Sequence, residues 1–113
     1  MPCLELVTNV RIPDQDRLMR RLSQTVCTGL GKSEIYMMVI LRGETPMYFS
    51  GNVEPAAFLH VKTLGIRPEA IKGLTPGLAD LVYQELGVDR SRIYTLFSDA
   101  DPTNWAQGGQ TFG

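Results

Sequence analysis

The amino-acid sequence predicts an α+β fold in which a four-stranded sheet is covered on one face by two helices. A strand–helix–strand order occurs twice along the 113 residues. The two copies also share detail, because Leu30-Gly31 precedes Ile35-Tyr36 and Leu86-Gly87 precedes Ile93-Tyr94. Two tandem β-α-β units of this kind predict pseudo-two-fold symmetry. At this length we expect a single domain, with repeat halves at about 1–52 and 53–113.

The first half begins with Leu4–Val10, whose Leu, Val and Thr content is typical of a strand. Pro13, followed within three residues by two aspartates, predicts the start of a helix, and Gly31 predicts its end. Ile35–Leu41 is a continuous apolar run, which predicts a strand buried on both faces. The helix has one apolar stripe, formed by every fourth residue: Leu18, Leu22, Val26 and Leu30.

The second half repeats this order. Ala57–Leu64 predicts a strand, and Pro68 and Gly87 predict the start and the end of a helix. Arg92–Phe97 predicts the last strand. Pro76 counts against an uninterrupted helix, because an interior proline distorts a turn at a cost of about 3 kcal/mol.

Two surfaces are expected to be covered. Helices on one face leave the other face of the sheet bare, although strand residues such as Met38 and Ile40 are apolar. We therefore expect that face to contact another subunit in a closed homo-oligomer. Residues 99–113 are rich in Gly, Asn and Gln, and their large apolar side chains, Trp105 and Phe112, predict that this segment packs against another part of the molecule.

Charge and composition narrow the functional classes. Lysine and arginine number 11 and acidic residues 12, without charged blocks, so nothing indicates a nucleic-acid partner or a polybasic membrane tether. The longest apolar run is too short to cross a bilayer, and no signal-peptide pattern is present, so we expect a cytosolic protein. Cys3 and Cys27 lack metal-binding spacing, which favours reduced, partly buried thiols over the alternative of a disulfide.

Pro2 is the first candidate catalytic residue. Removal of Met1 converts the Pro2 nitrogen into a free secondary amine, whereas with Met1 in place this nitrogen is an amide. An ordinary α-amino group has a pKa of about 7.7–8.0, and an apolar wall or a nearby cation lowers that pKa. The amine is then a free base at neutral pH, where general bases work best. The structural alternative is that Pro2 only begins a turn.

A series of short motifs, in one order and spacing along nearly the whole chain, resembles the macrophage migration inhibitory factor family of the tautomerase superfamily. No single motif is diagnostic, but together their order and spacing are specific. The matching residues are Pro2, Thr8-Asn9-Val10, Thr28-Gly29-Leu30-Gly31-Lys32, Tyr36, Gly51, Glu54-Pro55, Leu64-Gly65, Arg92-Ile93-Tyr94 and Thr111-Phe112.

This resemblance implies two β-α-β repeats assembled as a ring-shaped homotrimer with active sites between subunits. Family members catalyse keto–enol tautomerisation of arylpyruvates such as phenylpyruvate without metal or cofactor, and many act on dopachrome derivatives. The implied function is tautomerisation of phenylpyruvate-like 2-oxo acids. The alternative is a cytokine-like signalling module with a receptor-type protein partner and residual activity. A further alternative is dopachrome-type tautomerisation or a related decarboxylation.

The resemblance also implies roles for individual positions. Pro2 matches the catalytic proline, and Lys32 matches the pocket lysine. Leu64 matches the residue whose backbone amide meets substrate, and Tyr94 the aromatic contributed by the neighbouring subunit. The positions that match the hydrophobic rim of the pocket are Tyr36, Trp105 and Phe112.

The residue types suit these roles, although each has a structural alternative. Lys32 would pair with a substrate carboxylate and favour the charge of an enolate. A lysine after a helix-ending glycine also stabilises a helix C-terminus. Tyr94 could be a core aromatic, and His60, the single histidine, is expected to be structural.

Two positions depart from the family pattern. Leu96 stands where many relatives have an asparagine that contacts a hydroxyl on the substrate ring. An apolar side chain offers this hydroxyl no partner, so we expect a preference for phenylpyruvate over its 4-hydroxy analogue. Gln107 stands where many relatives have tryptophan, and Trp105 lies two residues earlier. The sequence therefore does not predict the shape of the rim.

Overall fold

The computed structural model describes all residues 1–113 and contains two long helices beside a four-stranded sheet. The strands of the sheet are β1 (Cys3–Thr8), β2 (Met38–Arg42), β3 (Ala57–Thr63) and β4 (Ile93–Asp99). The helices are α1 (Gln15–Leu30) and α2 (Pro68–Leu86). A small hairpin, β5 (Ala106–Gln107) and β6 (Gln110–Thr111), ends the chain. No helix combines the length and the apolar character that crossing a membrane requires.

The sheet has the strand order β2-β1-β3-β4. Strands β1 and β2 are parallel, β3 and β4 are parallel, and the two central strands β1 and β3 are antiparallel. Each β-α-β unit therefore contributes one parallel pair, and the two units are related by pseudo-two-fold symmetry. The predicted fold class is confirmed.

The hydrophobic core lies between the helices and one face of the sheet. Alternate strand residues such as Leu4, Leu59 and Val61 point into it and are fully buried, as the two-residue period of a strand requires. The helices approach each other closely at Gly29, where a Cβ atom would collide with the side chain of Leu74 on α2. The buried residues that the helices contribute are Leu18, Leu22, Val26, Leu74, Leu78, Leu81 and Val82.

Two predictions for the first half are wrong in detail. Helix α1 does not start at Pro13, because Asp14 is its N-cap and accepts a hydrogen bond from the backbone N–H of Arg17. The run Ile35–Leu41 is not one strand buried on both faces. It is split between a 3₁₀ turn, Glu34–Tyr36, and the edge strand β2, and Ile35 is 79% exposed. Since the helices cover only one face, an edge strand cannot be buried on both sides within one chain.

The second half follows the prediction closely. Pro68 is the first residue of α2, and Gly87 ends the helix with a φ of +69°, a conformation that glycine adopts without strain. Pro76 lies inside α2 without ending it. The preceding Thr75 hydroxyl donates to the carbonyl of Ile71, 2.7 Å away.

The outer face of the sheet, opposite the helices, is polar at its centre. The Glu5 carboxylate lies 3.4 Å from Lys62 Nζ and 3.8 Å from Arg42 Nη1. His60 Nε2 lies 2.6 Å from Ser98 Oγ, and the structural role expected for His60 stays a prediction. The large apolar side chains exposed on this face are Met38, Tyr94 and Leu96. Contact of the outer face with another subunit stays a prediction.

Candidate active site

A cavity of about 780 Å³ lies at the end of the sheet where β1 begins. Because β1 is antiparallel to β3, the first residues of β1 lie beside the last residues of β3 and β4. The C-terminal segment closes a further side. Pro2, Tyr36, Gln107, Trp105 and Phe112 all line this cavity, whose size is typical of small-molecule sites.

Pro2 is buried at the start of β1. Its carbonyl accepts a hydrogen bond from the backbone N–H of Met38, at 3.1 Å, which fixes the N-terminus against β2. In the structure Met1 is present and carries the terminal amine. Burial, and after it the positive charge of Lys32, lowers the pKa of this amine, while the Cys27 thiol acts weakly in the opposite direction. The N-terminus thus has the environment that favours a neutral amine.

Lys32 follows Gly31, the residue in left-handed conformation that ends α1. The Lys32 ammonium donates to the carbonyl of Leu64, 2.7 Å away, and does not reach back to the carbonyls of its own helix. The helix-capping alternative therefore does not describe this side chain. The ammonium is held between the end of α1 and the end of β3, and it is close enough to the N-terminus to lower the pKa of the terminal amine.

Asp99 holds the backbone that follows Leu64. Its carboxylate accepts hydrogen bonds from the N–H of Gly65 at 2.8 Å and of Ile66 at 3.4 Å. Gly65 has a φ of +69°, so the chain turns sharply there. Asp99 thereby fixes the position of the carbonyl to which Lys32 is bound, and it also lines the cavity.

The C-terminal segment supplies the apolar rim. The backbone N–H of Phe112 donates to the carbonyl of Trp105 at 3.0 Å, which brings the two side chains together beside Pro2. Gly108 and Gly109, both with positive φ, form the tight turn between β5 and β6. Within residues 101–113 only Trp105 and Phe112 are half-buried, and the rest of the segment is exposed, so its packing against another part of the molecule stays a prediction.

Tyr94 and Leu96 lie away from the cavity of their own chain. Both are on the outer face of β4, where Tyr94 is 61% exposed and packs edge-on against Phe49, with 4.9 Å between ring centroids. The cavity of one chain therefore brings together Pro2, Tyr36, Trp105 and Phe112. The predicted site residues that do not line it are Lys32, Leu64, Tyr94 and Leu96.

Several cavity residues were not singled out by sequence analysis. Lys62, Ser98 and Asp99 line the cavity because β3 and β4 end beside the start of β1. The pairing of Cys3 with Lys62 is the signal that would have found them. That register is a property of the sheet, and no local pattern contains it.

The fold and the cavity together define a protein of the tautomerase fold. The sequence model of the macrophage migration inhibitory factor family matches residues 1–113, and the chain belongs to this family. A crystal structure of a homologue from Prochlorococcus marinus superposes with a TM-score of 0.94 at 32% identity, covering 98% of this chain and 99% of the other. The Toxoplasma gondii protein superposes with a TM-score of 0.91 at 31% identity, covering 97% and 99%.

Two relatives with assigned names are also similar. The chain is 33% identical to the D-dopachrome decarboxylase of Gallus gallus, over 90% of this chain and 89% of that protein. It is 29% identical to the macrophage migration inhibitory factor homolog of Brugia malayi, over the full length of both. Family membership supports a tautomerase-type activity.

Proposed function

We propose that the protein is a keto–enol tautomerase of phenylpyruvate-like 2-oxo acids, with Pro2 as the general acid/base after removal of Met1. The observation that carries the proposal is the position of Pro2, which is buried in the wall of the cavity. Beside it, burial and the charge of Lys32 lower the pKa of the Met1 amine, and the same surroundings would act on a free Pro2 amine. A free amine here would be the base, Lys32 would be the cation that pairs with the substrate carboxylate, and the apolar rim would hold an aryl ring.

The reaction moves one proton. The lone pair of the Pro2 nitrogen takes a proton from the carbon next to the ketone, and the electrons of the broken C–H bond form the enolate. The same nitrogen then returns the proton to the oxygen, which gives the enol. Lys32 binds the substrate carboxylate and favours the enolate charge. Trp105 and Phe112 contact the ring and exclude water.

A homotrimer with sites between subunits completes this proposal. Tyr94 and Leu96 are exposed on the outer face, so a neighbouring subunit could present them to the cavity. Leu96 offers no partner to a ring hydroxyl, and phenylpyruvate should therefore be turned over about two- to tenfold more efficiently than its 4-hydroxy analogue. Comparison of kcat/KM for both substrates, in the protein and in Leu96→Asn, checks this. An unchanged ratio in the variant would remove the role of Leu96.

The proposal is tested with phenylpyruvate and Pro2→Gly. The rate of tautomerisation is measured on protein whose mass confirms the loss of Met1, and the oligomeric state of both forms is determined. We expect a loss of about 100-fold or more, because general acid–base catalysis contributes about 10²–10⁴-fold. Full activity in the variant would exclude Pro2 as the base. No activity in either form, with the assembly intact, would favour a signalling module with a protein partner.

A second candidate is a dopachrome-type reaction, which the similarity to the Gallus gallus enzyme favours. D-dopachrome also carries a carboxylate and a ring, and the same Pro2 and Lys32 would bind it. Parallel assays with phenylpyruvate and D-dopachrome, followed by product analysis, decide between them.

A further inference from the structure

We propose that Lys62 is a second anion-binding residue of the cavity, and that the preferred substrates are 2-oxo acids with an additional acidic group at the far end. This inference rests on the proposed function and deepens it by naming the substrate class. The Lys62 side chain lines the cavity together with Pro2 and the apolar rim.

The sheet places Lys62 close to the N-terminus. Lys62 is directly opposite Cys3, the residue that follows Pro2, in the antiparallel pairing of β3 with β1. Its side chain is 39% exposed in the single chain and lines the cavity, so a ligand in the cavity can reach the ammonium.

The charge of Lys62 is only partly neutralised. Its carboxylate partner, Glu5, lies 3.4 Å from Lys62 Nζ and also 3.8 Å from Arg42 Nη1. One negative charge is thus shared between two positive ones. Glu5 does not line the cavity; the acidic residue that does is Asp99, whose oxygens accept hydrogen bonds from the N–H groups of Gly65 and Ile66. Lys62 has three N–H donors, and its one hydrogen bond to Glu5 is long, so donors remain for a ligand.

Two cations then lie near the N-terminus: Lys62 lines the cavity, whereas Lys32 does not line it but acts on the terminal amine through its charge. Lys32 is held by the Leu64 carbonyl beside the N-terminus, whereas Lys62 lies on the outer face of the sheet. A ligand with a single carboxylate can pair with one of them. A dianion can pair with Lys62 inside the cavity and reach Lys32 past the N-terminus, and the apolar side chains that line the cavity suit the carbon chain or ring that joins the two acidic groups.

Binding is tested with a dicarboxylate that cannot tautomerise. Adipate and its monomethyl ester have the same carbon chain but differ by one charge, and the fluorescence of Trp105, the single tryptophan, reports their binding. We expect adipate to bind about fivefold more tightly than the ester, as befits a half-exposed charge pair. The preference should disappear in Lys62→Met and persist in Lys62→Arg.

Arg42→Met is the matched control, because it also removes a cation from Glu5 but does not line the cavity. It should keep a preference for adipate, although a smaller one, because Glu5 then pairs with Lys62 alone. Equal affinity of the protein for the two ligands, no binding of either, or a preference that survives Lys62→Met would each overturn the proposal.

Turnover separates this inference from the proposed function. Exchange of the protons next to the ketone in D₂O is followed by NMR for phenylpyruvate, 2-oxoadipate and the ω-methyl ester of 2-oxoadipate. Exchange of phenylpyruvate, without a preference for 2-oxoadipate over its ester, would refute only the role of Lys62. Preferential binding of adipate without exchange of any 2-oxo acid would refute only the tautomerase function.

Discussion

The two halves of the fold end their helices in the same way but use the next residue differently. Gly31 and Gly87 are both in the left-handed conformation, with φ of +66° and +69°. Lys32 follows the first glycine and reaches the carbonyl of Leu64 beside the cavity. Val88 follows the second glycine and is fully buried in the core. The repeated backbone therefore provides two equivalent corners, each formed by the glycine that ends a helix and the residue after it. Only the first corner carries a cation.

Strands β1 and β3 begin beside the strands that follow these two helix ends, and they differ as well. Strand β1 is preceded by Pro2, next to the chain terminus, where an amine can be free. Strand β3 is preceded by Ala56, whose backbone N–H donates to Asn9 Oδ1 at 2.9 Å. The duplication thus accounts for the architecture, whereas the proposed chemistry depends on Pro2 and Lys32, which only the first half carries.

The largest effect, on stability, is expected when the second corner is given the lysine that the first corner carries. Val88→Lys puts an unpaired charge into a fully buried position and should lower the free energy of unfolding by about 4 kcal/mol or more. Urea denaturation measures this change. A loss below about 1 kcal/mol would mean that the second corner can open to solvent and that the two corners are less different than described.

The reverse change should affect activity more than stability. Lys32→Val removes the carboxylate partner and the charge near the amine, and kcat/KM for phenylpyruvate should fall by about 10- to 100-fold. Stability should fall by no more than about 1.5–3 kcal/mol, the contribution of a hydrogen bond from a charged donor. Steady-state kinetics and urea denaturation check both values. Unchanged kinetics would show that the Lys32 charge plays no part in the site.

Asp99 tests whether the first corner depends on its supporting loop. Asp99→Ala removes the acceptor for Gly65 and Ile66 and should cost about 1–3 kcal/mol of stability, with a several-fold loss of activity as the Leu64 carbonyl shifts. Asp99→Asn keeps one acceptor oxygen and should recover part of both. Asp101→Ala is the control, because Asp101 accepts hydrogen bonds from Thr103 and does not line the cavity. Equal loss of activity in both alanine variants would indicate a general effect on the C-terminal segment.

The smallest effect is expected in the pH profile. Burial and Lys32 lower the pKa of the Met1 amine, and we expect the same surroundings to act on the Pro2 amine of the processed protein. Its kcat/KM should then rise with pH through a value below the ordinary 7.7–8.0. A nearby cation disfavours the protonated amine, and its removal in Lys32→Met should move the rise to higher pH. Rates measured between pH 5 and 9 provide the test. A profile that is unchanged in the variant would exclude electrostatic coupling between Lys32 and the amine.

Local signals predicted much of this molecule. Gly87 and Pro68 mark the ends of α2 because glycine and proline act through their own backbone geometry. The start of α1 was placed two residues early, since Pro13 and Asp14 are both helix-start residues and only the hydrogen bond to Arg17 distinguishes them. Burial was misjudged for Ile35, because an apolar run does not reveal whether its strand lies at the edge of a sheet.

The site was predicted only in part for a related reason. Pro2 and Lys32 were predicted from their chemistry and from the resemblance of the chain to a family, and their catalytic roles stay predictions; the structure places Pro2, but not Lys32, in the wall of the cavity. Lys62 and Asp99 were missed, because their position depends on which strands pair and in which register. These contacts join residues far apart in sequence, and no single segment specifies them.

The most direct test of the central claim compares protein that retains Met1 with protein from which Met1 has been removed. The two forms share every side chain from Pro2 onwards and differ in whether the Pro2 nitrogen is an amide or a free amine. Mass spectrometry identifies each form, and both are assayed with phenylpyruvate. We predict that the processed form is about 100-fold or more faster. Equal rates in the two forms would contradict the claim that the Pro2 nitrogen carries the proton.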